Sequence, residues 1–247
     1  MRLVMGKVLL TVCAALMLIP TAGAVPLLQL YVEGSTYDEA TESWVLEYTG
    51  DPIRLWVIGN VAGPGGQGTI YDTKLAIAYT GPDGGVAPVF TIEGSSTGGY
   101  GGFTDPSTAV DPVYLQTVTD GSTPTLHDGS SLPTHGVYGE GIHWQEFALG
   151  DLDTADSPIG DFYGAFPGPG WADSAQINVY EITFSGSVEW IHFDLYNHTD
   201  SRTRVFAPFS HDAEVTTPEP AAVVGLLTLG IGGLIGRSRL FRRNRQG

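Results

Sequence analysis

The sequence predicts an all-β fold: a single β-sandwich or jelly-roll-like domain of about eight to ten strands. Three observations lead there. Short runs of β-branched and aromatic residues recur between clusters of Gly, Pro, Asp and Ser. Glycine (34) and proline (16) are abundant without a collagen period, which suits many strands joined by turns. No 3.6-residue apolar pattern persists over ten residues outside the two ends of the chain.

Candidate strands fall at 27–32, 44–48, 53–61, 74–79, 88–92, 114–118, 144–149, 177–184 and 189–196. The last alternates most clearly. Ile191, Phe193 and Leu195 form an apolar face assigned to the core, and Trp190, His192, Asp194 and Tyr196 share the other. The GPDGGVA turn after Tyr79 and the Ser185-Gly186-Ser187 link each predict a hairpin. Gly-rich loops at 94–112, 119–136 and 156–175 are longer than connections usually are. In and beside them lie Tyr100, Phe103, Tyr138, Phe162, Tyr163, Phe166 and Trp171. Such rings suit stacking on sugars, or else they cap the ends of the core.

Charge is segregated along the 247 residues, whose formal net charge is −16. From Val25 to Thr216 four basic residues face 26 acidic ones, a formal charge of −22. Nucleic acid is therefore not an expected partner, because phosphate binding needs a basic surface. The remaining basic residues lie at the two ends, as in a chain handled by membrane machinery.

At the N-terminus Arg2 and Lys7 precede an apolar run over 8–19. An A-x-A pattern, Ala22 to Ala24, then predicts signal-peptidase cleavage after Ala24. The only cysteine, Cys13, lies inside this segment, so the mature domain is expected to lack a disulfide. The expected organisation is a signal peptide (1–24), an exported β-domain (25–215) and a sorting and anchor tail (216–247). In the tail Pro218-Glu219-Pro220 precedes an uncharged stretch at 221–236. That stretch is close to the shortest helix that spans a bilayer. Arg237, Arg239, Arg242, Arg243 and Arg245 follow and predict that the C-terminal end stays in the cytoplasm.

This tripartite tail resembles the PEP-CTERM sorting signal of Gram-negative bacteria that make extracellular polysaccharide. The resemblance implies an exosortase-like membrane protease as partner, acting at Pro218, Glu219 and Pro220. VPLLQLYVEGSTYDEATESWV at 25–45, LPTHGVY at 132–138, IHFDLYN at 191–197 and FAPFSHDAE at 206–214 together resemble the choice-of-anchor N group of surface proteins. That resemblance implies an exported β-rich surface domain and supplies no catalytic residues. The charged insert usual between the last two motifs is short here (198–205), which puts any site built by it in doubt.

Two constellations could carry chemistry. His192 and Asp194 project from one face of a strand, and His211-Asp212 follows in a loop. Imidazole with carboxylate can hold a transition metal. His135 and His143 flank a turn containing Glu140. Asp151, Asp153 and Asp156 form an acidic cluster that suits calcium as a possible cofactor, although the spacing is not an EF-hand. Solvated or hydrogen-bonded polar residues at a sheet edge are the alternative for both. The chain has no thiol outside the signal and no strand-to-helix nucleophile elbow, so an enzyme is not expected. The expectation is an exported cell-surface or extracellular-matrix protein, passing through an inner-membrane-anchored intermediate. It would be structural or adhesive within extracellular polysaccharide. A calcium-dependent carbohydrate-binding module and, behind it, a polysaccharide-active enzyme are the rival readings.

Overall fold

A computed structural model of the chain describes residues 25–81, 86–103, 109–162, 173–186, 188–208 and 211–217. The expected signal segment, with Ala22 and Ala24, and the tail from Pro218 onward lie outside the described residues. Among the described residues thirteen strands follow one another: β1 (Leu28–Val32), β2 (Thr36–Asp38), β3 (Ser43–Glu47), β4 (Ile53–Asn60), β5 (Ile70–Thr80), β6 (Val89–Ser95), β7 (Val113–Val118), β8 (Ile142–Leu152), β9 (Ser157–Pro158), β10 (Asp173–Ser185), β11 (Trp190–Thr199), β12 (Arg202–Phe206) and β13 (Asp212–Thr216). Among the described residues no helix is long and apolar enough to cross a membrane.

The strands form two sheets. The smaller runs β1-β4-β10-β6, with β9 on β10. The larger runs β2-β3-β13-β11-β5-β8-β7, with β12 on β11. All pairings are antiparallel except β3 with β13. Both sheets contribute to one core. Leu28, Leu30, Leu55 and Ile182 of the smaller sheet join Leu75, Ile77, Ile191, Phe193 and Leu195 of the larger. Gly59 on β4 marks how close the layers come: a Cβ there would lie 2.6 Å from Leu152 Cδ1 on β8. An all-β protein of two sheets sharing a core is what the sequence patterning led us to expect.

Two expected hairpins are not hairpins. β5 and β6, on either side of the GPDGGVA turn, lie in different sheets, and so do β10 and β11. Gly-rich turn chemistry reverses the chain equally well within a sheet or across to the other layer. The local sequence does not tell the two apart.

Arg54 on β4 ties the smaller sheet together. Its Nε donates to Glu33 Oε2 (2.8 Å). Its Nη1 donates to Glu181 Oε1 (2.7 Å) and Ser95 Oγ (3.1 Å), and Nη2 donates to the Ser96 carbonyl. Its side chain is 26% exposed, so solvent screens part of each charge contact. Arg54→Ala is expected to lower unfolding free energy by about 1–2 kcal/mol in urea titrations. Arg54→Lys should recover less than half of that, because an ammonium cannot fork. An Arg54→Ala midpoint equal to the wild type would mean that the network adds nothing.

Candidate metal centre

β11 lies inside the larger sheet, hydrogen-bonded to β5 on one side and β13 on the other. Its alternation is the one read from sequence. Ile191, Phe193 and Leu195 enter the main core, which leaves His192, Asp194 and Tyr196 on the outer face. That face is not solvated: His192 is 1% exposed and Asp194 3%. β13 sits beside it in a register that pairs His192 with Glu214 and Phe193 with Ala213. One residue further along, Asp212 comes next to Asp194.

The cover over this face is the long loop between β7 and β8. Leu126, Leu132 and Val137 pack with Ala76, Ala78, Trp144 and Tyr196 in a second, smaller apolar cluster. Alanines on the outer face of β5 leave room for the loop to lie against the sheet. The loop is pinned to β8 by Trp144 Nε1–H, which donates to the Ser122 carbonyl (2.7 Å), and is folded on itself by Leu132 N–H, which donates to the Pro124 carbonyl (2.8 Å). It delivers His135 to the strand residues.

Four side chains converge here: His135, His192, Asp194 and Asp212, with one ligand atom of each within 4.8 Å of all the others. The two imidazole Nε2 atoms are 3.1 Å apart. Asp194 Oδ1 lies 3.4 Å from His135 Nε2, and Asp194 Oδ2 3.5 Å from His192 Nε2. Asp212 Oδ2 lies 3.8 Å from both imidazoles, too far for a hydrogen bond. Asp212 is 1% exposed, and neither of its carboxylate oxygens has a hydrogen-bond partner. A buried, unsatisfied carboxylate is costly and calls for a reason.

An outer ring orients the inner groups. Glu214 Oε1 lies 3.2 Å from His192 Nδ1, and the Pro133 carbonyl 3.2 Å from His135 Nδ1. The Tyr138 hydroxyl donates to Asp194 Oδ2 (2.5 Å). The fields are strong without a cation. Burial pushes the Asp212 carboxyl well above its ordinary range, and the negative charge of Asp194 adds to this. Burial alone would lower His192, but Asp194, Glu214 and Asp212 outweigh it and push the imidazole up to about 10. Burial would likewise raise Asp194, yet His192, His135 and Tyr138 hold it below the usual carboxylate range.

The other expected ligands lie elsewhere. His211 Nε2 pairs with Asp161 Oδ1 (2.6 Å), although it is next to Asp212 in the chain. Neighbours along a strand point to opposite faces. Among the described residues Asp151, Asp153 and Asp156 are not brought together as a ligand group. Asp151 Oδ1 accepts from the Asp72 N–H (2.8 Å), Asp153 Oδ1 from the Thr154 hydroxyl (3.0 Å), and Asp156 Oδ1 from the Ser157 hydroxyl (3.1 Å). His143 packs edge-on against Tyr79 and stays outside the His135 group. A second set, Asp72, His127 and His198, is more exposed, with the two imidazoles stacked 3.6 Å apart. Of the loop aromatics, Phe103 and Phe162 are buried in the main core.

The sequence alone links His192, Asp194 and Asp212 but sets His135 beside His143, counts Tyr138 only among the loop aromatics and leaves Glu214 without a role. The available signal was the polar face of β11 together with a loop long enough to bury it. Two imidazoles and two carboxylates make a donor set suited to a divalent transition metal. No protein-family model, no curated protein and no solved structure matches the chain.

Proposed function

We propose that the protein is an exported cell-surface or extracellular-matrix protein of a Gram-negative bacterium. In this reading an exosortase-like protease sorts it through the PEP-CTERM-like tail, and its domain is structural or adhesive within extracellular polysaccharide. The observation that carries the reading is the order of the chain: a secretion-type segment, an acidic all-β region, then Pro218-Glu219-Pro220, an apolar stretch and five arginines. The two-sheet architecture supports it and is consistent with a β-sandwich of the jelly-roll kind. The acidic surface would keep such a domain soluble and favour divalent-cation bridging to acidic polymers over direct attraction. The carbohydrate-binding alternative draws no support from Phe103 and Phe162, whose rings are spent on the core.

The test is the intact mass of the mature protein in its native host, for the wild type and for a Glu219→Ala, Pro220→Ala variant. Loss of the arginine-rich end in the wild type, with retention in the variant, is the expected result. Retention of the full tail in both would refute sorting and leave a simply tethered domain.

A further inference from the structure

The geometry points to a closed divalent transition-metal site, of zinc type, built from His135 Nε2, His192 Nε2, Asp194 and Asp212. This inference is independent of how the chain is sorted.

The first argument is proton placement. Glu214 as a carboxylate and the Pro133 carbonyl can only accept, so the hydrogen bonds at His192 Nδ1 and His135 Nδ1 put the ring protons there. Both Nε2 atoms then face each other across 3.1 Å. Either a shared proton or a metal ion must lie between two nitrogens at that distance. A carboxylate or carbonyl behind each imidazole is also the usual outer shell of a metal-bound histidine.

The second argument is spacing. Metal–ligand bonds of about 2.0–2.1 Å place the corners of a tetrahedron about 3.3–3.4 Å apart. The separations given for His135 Nε2, His192 Nε2, Asp194 Oδ1 and Asp212 Oδ2, 3.1, 3.4, 3.8 and 3.8 Å, bracket that edge. The longest are those to Asp212, and a small inward movement of that side chain would complete the figure.

The third argument is Asp212 itself. Both its oxygens are buried without a hydrogen bond, and Oδ2 faces the two imidazoles. A cation gives this carboxylate the partner it lacks. Tyr138 occupies Asp194 Oδ2, which leaves Oδ1 for the ion. Two neutral imidazoles and two carboxylates balance a charge of +2. The imidazole nitrogens favour a transition ion over calcium, which takes oxygen ligands.

All four ligands come from the protein and all are nearly buried, which is the pattern of a structural rather than a catalytic site. The ion would bolt the β7–β8 loop, through His135, to two strands of the larger sheet. It would do so in a domain where no disulfide is expected.

The test uses the full-length chain, stripped with chelator and titrated with zinc(II) and cobalt(II). One equivalent of each should bind, and cobalt should give the intense visible bands of a tetrahedral centre. His135 lies in a loop, so His135→Ala should keep the far-ultraviolet dichroism of the sheets while weakening zinc at least 100-fold. Asp212→Asn should weaken it similarly, and Asp153→Asn should leave it unchanged. Zinc binding by folded His135→Ala equal to the wild type would overturn the assignment. So would failure of the folded wild type to bind, or an octahedral cobalt spectrum.

Discussion

Replacing Trp56 by alanine is expected to lower the unfolding free energy by about 4 kcal/mol. Trp56 is fully buried on β4, at the middle of an aromatic group. Its ring meets Tyr31 at 5.8 Å and Phe103 at 5.0 Å, both edge-on, and Tyr100 at 6.0 Å. Its Nε1–H donates to Glu33 Oε1 (2.8 Å), the carboxylate that also binds Arg54. Truncation therefore removes apolar burial, leaves a cavity and strips one hydrogen bond from a half-buried acid. Urea denaturation should show the midpoint falling with little change in slope. Trp56→Phe keeps most of the packing and should cost about 1–2 kcal/mol. A loss below about 1.5 kcal/mol for the alanine variant would mean that this aromatic group is not the anchor the geometry makes it.

Gly121→Val should unseat the loop that covers the outer face of the larger sheet. Gly121 has φ +76°, and a Cβ there would lie 2.1 Å from the Gly139 carbonyl oxygen. A β-branched residue at such a φ costs about 1–3 kcal/mol in strain alone, and the clash is with backbone, which cannot rotate away. The destabilisation cannot exceed the docking free energy of the loop, because the loop can detach while the two sheets persist. The expected result is a local one. Far-ultraviolet dichroism should stay near that of the wild type. Trp144, which donates to the Ser122 carbonyl beside the mutated position, should become exposed to a fluorescence quencher. Quenching equal to the wild type would show that the loop tolerates the change.

The sequence disclosed the parts of this protein that repeat with period two. Each of the nine expected strands overlaps an observed one, and β11 was read correctly on both faces because alternation survives burial on both sides. β2, β9 and β12 were invisible: they are two to five residues long and mostly polar or exposed. β13 reads as a loop from sequence, because Asp-Ala-Glu-Val-Thr has the composition of one. It becomes a strand by lying between β3 and β11, a long-range fact that no local window holds. The candidate metal centre was half legible for the same reason. His192 and Asp194 are two residues apart on one strand, so their neighbourhood is local. His135 arrives through a loop with no periodicity, and only the folded chain brings it to the sheet.

The parallel pairing of β3 with β13 also governs the order in which the domain can form. β13 is interior to the larger sheet, yet it is the last strand of the described chain. A polypeptide emerging N-terminus first can assemble β1 with β4, or β5 with β8. It cannot join β2 and β3 to the rest of the larger sheet until Thr216 has appeared. Asp212 enters with that same strand. Closure is thus a late, non-local event with a high loop-entropy cost, and folding is expected to be slow. While synthesis is under way the chain stays open, and the sheet locks only when β13 is in place.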